Sequence, residues 1–177
     1  MQKQFIAALM AATLVVPAAA QAEGSYFKFS AGRSEYKDDE GKGRDNALSL
    51  AYGFAVDKNF DVELGYINFG KIKAADSDSA SSLQRQAFYL AGVGSVPVTD
   101  AFSVSAKLGL AFNRYEEKAF DEFSSYEEKV TKVKPMVGLG TSYQFTKEVA
   151  GVLEYQYFGK VSDVKASALT VGVKYGF

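Results

Sequence analysis

Cysteine is absent from the sequence, so no disulfide stabilises the fold and no thiol can serve as a nucleophile. Histidine, the usual general base, is absent too, and so is tryptophan. An excess of one charge sign is also missing. The formal net charge is −1, which gives no basic field for nucleic acid. Beyond residue 22 no apolar run approaches the roughly 20 residues that a membrane-spanning helix needs. By hydropathy alone the chain reads as a secreted soluble protein, and its periodicity argues against that reading.

What is present begins with a targeting segment. Lys3 supplies a positive charge, Phe5 to Val16 form an apolar run, Pro17 breaks it, and Ala20 and Ala22 are small. This is the layout of a secretory signal, too short to span a bilayer. Residues 1–22 are expected to be cleaved, leaving 23–177 as one domain.

That domain alternates with period two almost throughout. Leu48, Leu50, Tyr52, Phe54 and Val56 interleave with Ala47, Ser49, Ala51, Gly53 and Ala55. Phe60, Val62, Leu64 and Tyr66 interleave with Asp61, Glu63 and Gly65. The same pattern runs over 102–113, 132–145, 149–158 and 168–177, and more weakly over 25–34. In 84–96 the phase is open: either Phe88 and Leu90, or Tyr89, Ala91 and Val93, form the apolar outer row. The connections at 57–59, 97–101 and 146–148 are short, whereas 34–46, 70–82, 114–129 and 159–167 read as long polar loops.

Eight antiparallel strands joined in this way close into an up-and-down barrel without edges. A soluble carrier would hold its bulky apolar residues inside, but the interior of an eight-stranded barrel is too narrow for one such residue at every inward position. The Gly, Ala and Ser row, with isolated Glu, Gln and Lys, therefore belongs inside. The Leu, Val, Phe and Tyr row belongs against lipid. Gly53, Gly65, Gly109, Gly138, Gly140 and Gly172 fall on the inner row, where they make room for larger neighbours. Aromatic residues bracket both ends of the strands, as in the two girdles of an outer-membrane barrel. The expected fold is all-β, an eight-stranded antiparallel up-and-down transmembrane β-barrel. Short turns mark the periplasmic side, so both termini are expected in the periplasm.

The segments "KPMVGLGTSYQF", "LEYQYFG", "VELGYINFG", "SAKLGLAF" and "VGVKYGF" resemble the transmembrane domain of the outer-membrane protein A family and its small eight-stranded relatives. The resemblance covers essentially all of 23–177. It implies that the terminal strand is read by the barrel-assembly machinery through Phe177, with Tyr175 and Val173 in support. It also implies an ionic network in the lumen, with Glu63 and Glu154 as acids and Lys107 and Lys174 as bases. The family's further basic residue on the fourth strand has no clear counterpart, since Val93 falls near it; Lys132 or Lys134 are the candidate substitutes. The peptidoglycan-binding domain of longer members is not matched, so wall anchoring is not implied.

Paired charges in a narrow interior point to a plug, because an unpaired buried charge is costly. Small-barrel enzymes of this architecture lean on histidine, so no catalysis is expected, and no cofactor. The acidic stretches at 38–40, 116–117 and 127–128 lack the spaced ligands of a calcium loop and read as solvated, so no metal is expected. Tyr115, Phe120, Phe123 and Tyr126 stand among charges in 114–129 and form a candidate recognition surface.

The expected function is an integral outer-membrane protein of a Gram-negative bacterium, structural in membrane integrity, with surface loops open to adhesion. The alternative is a narrow pore or channel for small solutes. The expected partners are outer-membrane lipid and lipopolysaccharide, the barrel-assembly machinery and host or matrix surface molecules, with no nucleic acid.

Overall fold

Period-two apolar rows without charge can satisfy their backbone groups in lipid only by pairing side to side until the sheet closes. The computed structural model follows this rule and describes residues 24–37, 42–76, 79–121, 124–161 and 164–177. Its strands are β1 (Tyr26–Lys37), β2 (Lys42–Asp57), β3 (Phe60–Asp76), β4 (Ser79–Pro97), β5 (Phe102–Asp121), β6 (Ser124–Gln144), β7 (Val149–Val161) and β8 (Val164–Gly176). Each pairs antiparallel with its neighbours in sequence, and β1 pairs with β8 to close the barrel. The expected signal segment, 1–22, lies outside the described residues.

The two faces meet different solvents. The bulky row points out, and Leu108 and Leu139 are 68% and 67% exposed. In water such a surface would be one continuous apolar patch, which rules against the soluble carrier. In β4 the open phase resolves: Phe88 and Leu90 point out, while Tyr89, Ala91 and Val93 are buried inside.

The four long connections are not loops for most of their length. β5 and β6 stay paired from Phe102–Tyr143 to Asp121–Ser124, and β3 and β4 stay paired to Asp76–Ser79. The ladder continues where the apolar alternation has stopped, because a strand that has left the lipid no longer needs an apolar row. The candidate recognition residues Tyr115, Phe120 and Tyr126 therefore fall on strand backbone, not in a loop. Their side chains, and all of Phe123, lie outside the described residues.

Two bulges mark the same change of level. β3 gains a residue between Asn68 and Lys71, and β7 between Tyr157 and Lys160. Each holds a glycine in the left-handed region, Gly70 at φ 81° and Gly159 at φ 76°, where a side chain is disfavoured. The preceding residues are Phe69 and Phe158. Both carbonyls accept side-chain donors, Ser34 Oγ to Phe69 O at 2.7 Å and Arg85 Nη2 to Phe158 O at 3.3 Å.

Candidate functional site

Four charged side chains enter the lumen from alternate strands: Lys28 from β1, Glu63 from β3, Lys107 from β5 and Glu154 from β7. Their neighbours in register on the even strands are mostly small. Ala51 stands beside Lys28, Gly53 and Ala91 beside Glu63, Gly138 beside Lys107, and Gly140 beside Glu154. A long side chain on every strand would overfill the interior; alternating large with small lets four chains meet.

They meet as a closed ring. Lys28 Nζ lies 2.7 Å from Glu63 Oε2 and 2.8 Å from Glu154 Oε1. Lys107 Nζ lies 2.6 Å from Glu63 Oε1 and 2.7 Å from Glu154 Oε1. Each ammonium touches both carboxylates, and the ring is neutral. Three uncharged donors complete it. Tyr26 and Tyr89 donate their hydroxyls to Glu63 at 2.9 and 2.8 Å, and Gln156 Nε2 donates to Glu154 Oε2 at 2.8 Å.

The tyrosines depend on missing side chains. A β-carbon on Gly53 would strike the Tyr26 ring, and one on Gly65 would strike the Tyr89 ring. Glycine at these two inner positions thus sets the reach of the hydroxyls that bond Glu63.

An apolar layer covers the ring on the long-hairpin side. Ile67, Phe69, Tyr89, Met136 and Phe158 are fully buried there. The Phe69 and Phe158 rings of the two bulges meet edge to face at 4.9 Å, and Tyr89 meets Phe158 at 6.0 Å. Arg85 Cζ lies 5.3 Å from the Phe69 ring centre, and its Nη2 donates to Asn113 Oδ1 at 2.8 Å. On the short-turn side is a cavity of about 30 Å³, lined by Tyr26, Asp61, Ser95, Ser105 and Lys174 together with members of the ring. It has room for about one or two water molecules.

The ring contains three of the network residues read from the sequence, Glu63, Glu154 and Lys107, and one that was not among them, Lys28. Lys174 faces the same lumen opposite Lys28 in register, but lies in the cavity with its Nζ 4.8 Å from the Tyr26 ring centre. Lys134 is half-buried beside Gly159 at the level of the bulge, and Lys132 is exposed. Neither joins the ring. Lys28 had a legible signal, since it stands on the inner row of β1. On the fourth strand Arg85 supplies a buried basic residue that the sequence reading sought near Val93.

Val173, Tyr175 and Phe177, the expected assembly signal, lie beside β1 where β8 closes the barrel. Val173, Tyr175 and Phe177 point out. Phe177 stacks on Phe27 of β1 with ring centres 5.5 Å apart, and its N–H donates to Ser25 O at 2.9 Å.

Comparison with known proteins follows from this geometry. A family model for the OmpA-like transmembrane domain matches residues 20–177. Outer membrane protein A of Shigella flexneri is 26% identical over 188 aligned residues, which cover 97% of this chain and 54% of that protein. The chain thus spans about half the length of such relatives. Among solved structures, Neisserial surface protein A (NspA) superimposes with a TM-score of 0.71 at 18% identity, covering 86% of this chain and 97% of that one. Ail, the attachment invasion locus protein of Yersinia pestis, solved with the heparin analogue sucrose octasulfate, gives 0.68 at 18% identity, covering 88% and 99%.

Proposed function

The chain belongs to the OmpA-like transmembrane domain family, and from that premise we propose that it is an integral outer-membrane barrel of a Gram-negative bacterium, structural in role and closed to solutes. The observation that carries this reading is the pair of stacked layers across the lumen. A neutral ring of four buried charges lies under a layer of buried aromatic and aliphatic side chains. Ring pairs at 2.6–2.8 Å leave no gap between them for a hydrated ion. The three short turns, at 58–59, 98–101 and 145–148, support a periplasmic short-turn side with both termini on it.

Planar-bilayer recording of the refolded barrel tests the closure. We expect no steady conductance, and a large, sustained open current would overturn it. The rival is a narrow channel whose ion pairs exchange partners. Its support is Lys174, a second ammonium lining the cavity next to the ring. Partner exchange would show as conductance that rises when Lys107 is replaced by Gln and falls when Lys174 is.

We read the barrel as non-catalytic, since the sequence has neither histidine nor cysteine; release of acyl chains from lipid A by the purified barrel would refute this. Its partners in this reading are outer-membrane lipid, including lipopolysaccharide, and the barrel-assembly machinery acting on Val173, Tyr175 and Phe177. Adhesion to host or matrix molecules through the β5–β6 hairpin is a further part of the proposal. Cell binding unchanged by excision of 116–128 would remove it.

A further inference from the structure

The wall is not zipped to the same height all round. Where β1 meets β8 there are twelve rungs, from Tyr26–Gly176 to Lys37–Lys165. Where β6 meets β7 there are eight, from Gln144–Ala150 to Val137–Tyr157. At about 3.4 Å per residue and a tilt of about 40°, those eight rungs reach roughly 20 Å, against an apolar band of about 25 Å. The deficit lies at the long-hairpin end, because at the turn Phe145 N still donates to Val149 O. Both strands run on past the last rung, β6 back to Ser124 and β7 on to Val161.

Pro135 is the cause. Gln144 N donates to Ala101 O on the β5 side, and Phe145 N to Val149 O of β7. Amides alternate sides along a strand, and β6 pairs with β5 without a register shift from Tyr143 to Ser124. The amide side of Pro135 therefore faces β7, and proline has no N–H to donate. The register that joins Val137 to Tyr157 sets Pro135 opposite Gly159, so the ladder stops there. The Lys134 stem lies over Gly159 instead: a β-carbon on that glycine would stand 2.9 Å from Lys134 Cβ.

The two sides of this gap are apolar. Val133, Pro135 and Val137 of β6 and Tyr155 of β7 face lipid. Behind them are Met136 and Phe158, fully buried and part of the layer over the ion ring. Phe158 is anchored from within, its carbonyl accepting Arg85 Nη2 at 3.3 Å and Asn113 Nδ2 at 3.4 Å. β7 thus keeps its place here without β6, and parting the two strands above Val137 breaks no rung of the ladder.

We propose that the long-hairpin end of the β6–β7 junction is a lateral door for an acyl chain of the surrounding lipid. The chain enters between Pro135 and Gly159, displaces the Lys134 stem and lies against Met136 and Phe158. An acyl chain is the occupant because lips and layer are both apolar and the approach is through lipid. The ion ring below stays shut, so the door leads into the membrane and not through the lumen. The proposal rests on the reading of the bulky row as lipid-facing.

The test uses the full chain refolded into phosphatidylcholine nanodiscs in which part of the lipid carries a diazirine midway along one acyl chain. After photolysis, fragment mass spectrometry locates the labelled residues. Leu139 faces lipid and reports the wall, whereas Met136 and Phe158 report entry. Label is expected at all three. Pro135→Val supplies the missing amide and should cut the Met136 and Phe158 label about fivefold, the worth of one added backbone hydrogen bond, with Leu139 unchanged. Lys134→Ala removes the cover and should raise the inner label. A heat-modifiable shift shows that each variant is folded. Label confined to outward residues in the unaltered chain and in both variants would overturn the door. So would inner label that Pro135→Val leaves unchanged. No label on Leu139 of the unaltered chain would instead overturn the lipid-facing reading.

Discussion

Glu63 accepts bonds from Lys28, Lys107, Tyr26 and Tyr89, so removing its carboxylate leaves two buried ammoniums to share Glu154. Breaking a buried ionic pair by deleting one partner costs about 3–5 kcal/mol. Glu63→Ala should lose that much in urea unfolding of the vesicle-refolded barrel, and Glu63→Gln less, since the amide keeps one acceptor. A loss under about 1 kcal/mol would mean that the ring contributes little. Gly65→Ala should cost about 1–3 kcal/mol by displacing the Tyr89 ring. Gly94→Ala, with open space at its β-carbon, serves as the control. Period-two alternation made the inner row readable, which is why Glu63, Lys107 and Glu154 could be named together. Alternation assigns a side chain to a face, not to a partner across the lumen. Lys28 and Lys174 stand opposite each other on that face and look equivalent in sequence. Only the stagger of the strands places one in the ring and the other in the cavity below it.

Along each strand the apolar alternation reports lipid, not pairing. That is why the short turns were legible and the extended hairpins were not. It also separates two kinds of residue in β5 and β6. Those up to Phe112 and Val133 belong to the lipid-facing wall, and those beyond belong to a projection. Excising 116–129 and joining Tyr115 to Val130 by a short turn should therefore leave the heat-modifiable shift on a gel intact. Loss of the folded band would mean that the projection is needed for closure. The bulges had a signal that went unused: Phe-Gly-Lys occurs at 69–71 and again at 158–160, at matching places on β3 and β7. Gly159→Ala should cost about 1–2 kcal/mol from its left-handed backbone alone. The loss should appear in unfolding midpoint without a change in the mid-barrel ion ring.

Closure of the whole barrel brings β1 to β8, and the Phe27–Phe177 stack lies on that seam. A double-mutant cycle of Phe27→Ala and Phe177→Ala, measured in detergent without assembly factors, should give a coupling of about 0.5–1.5 kcal/mol. Zero coupling would leave Phe177 with an assembly role alone. The ring of charges bears on closure in another way. The lipid-facing wall is nearly uniform, so two strands that slip past each other by two residues still turn their apolar rows to lipid. The bilayer scarcely notices that mistake. The ring does, because a two-residue slip moves an ammonium about 6.6 Å along its strand, far beyond the 2.6–2.8 Å contacts. With one member drawn from every second strand, a single slip anywhere between β1 and β7 displaces at least one charge from its partners. Lys28, Glu63, Lys107 and Glu154 thus act as a four-part checksum on the barrel's shear, rejecting misregistered copies that the membrane would accept.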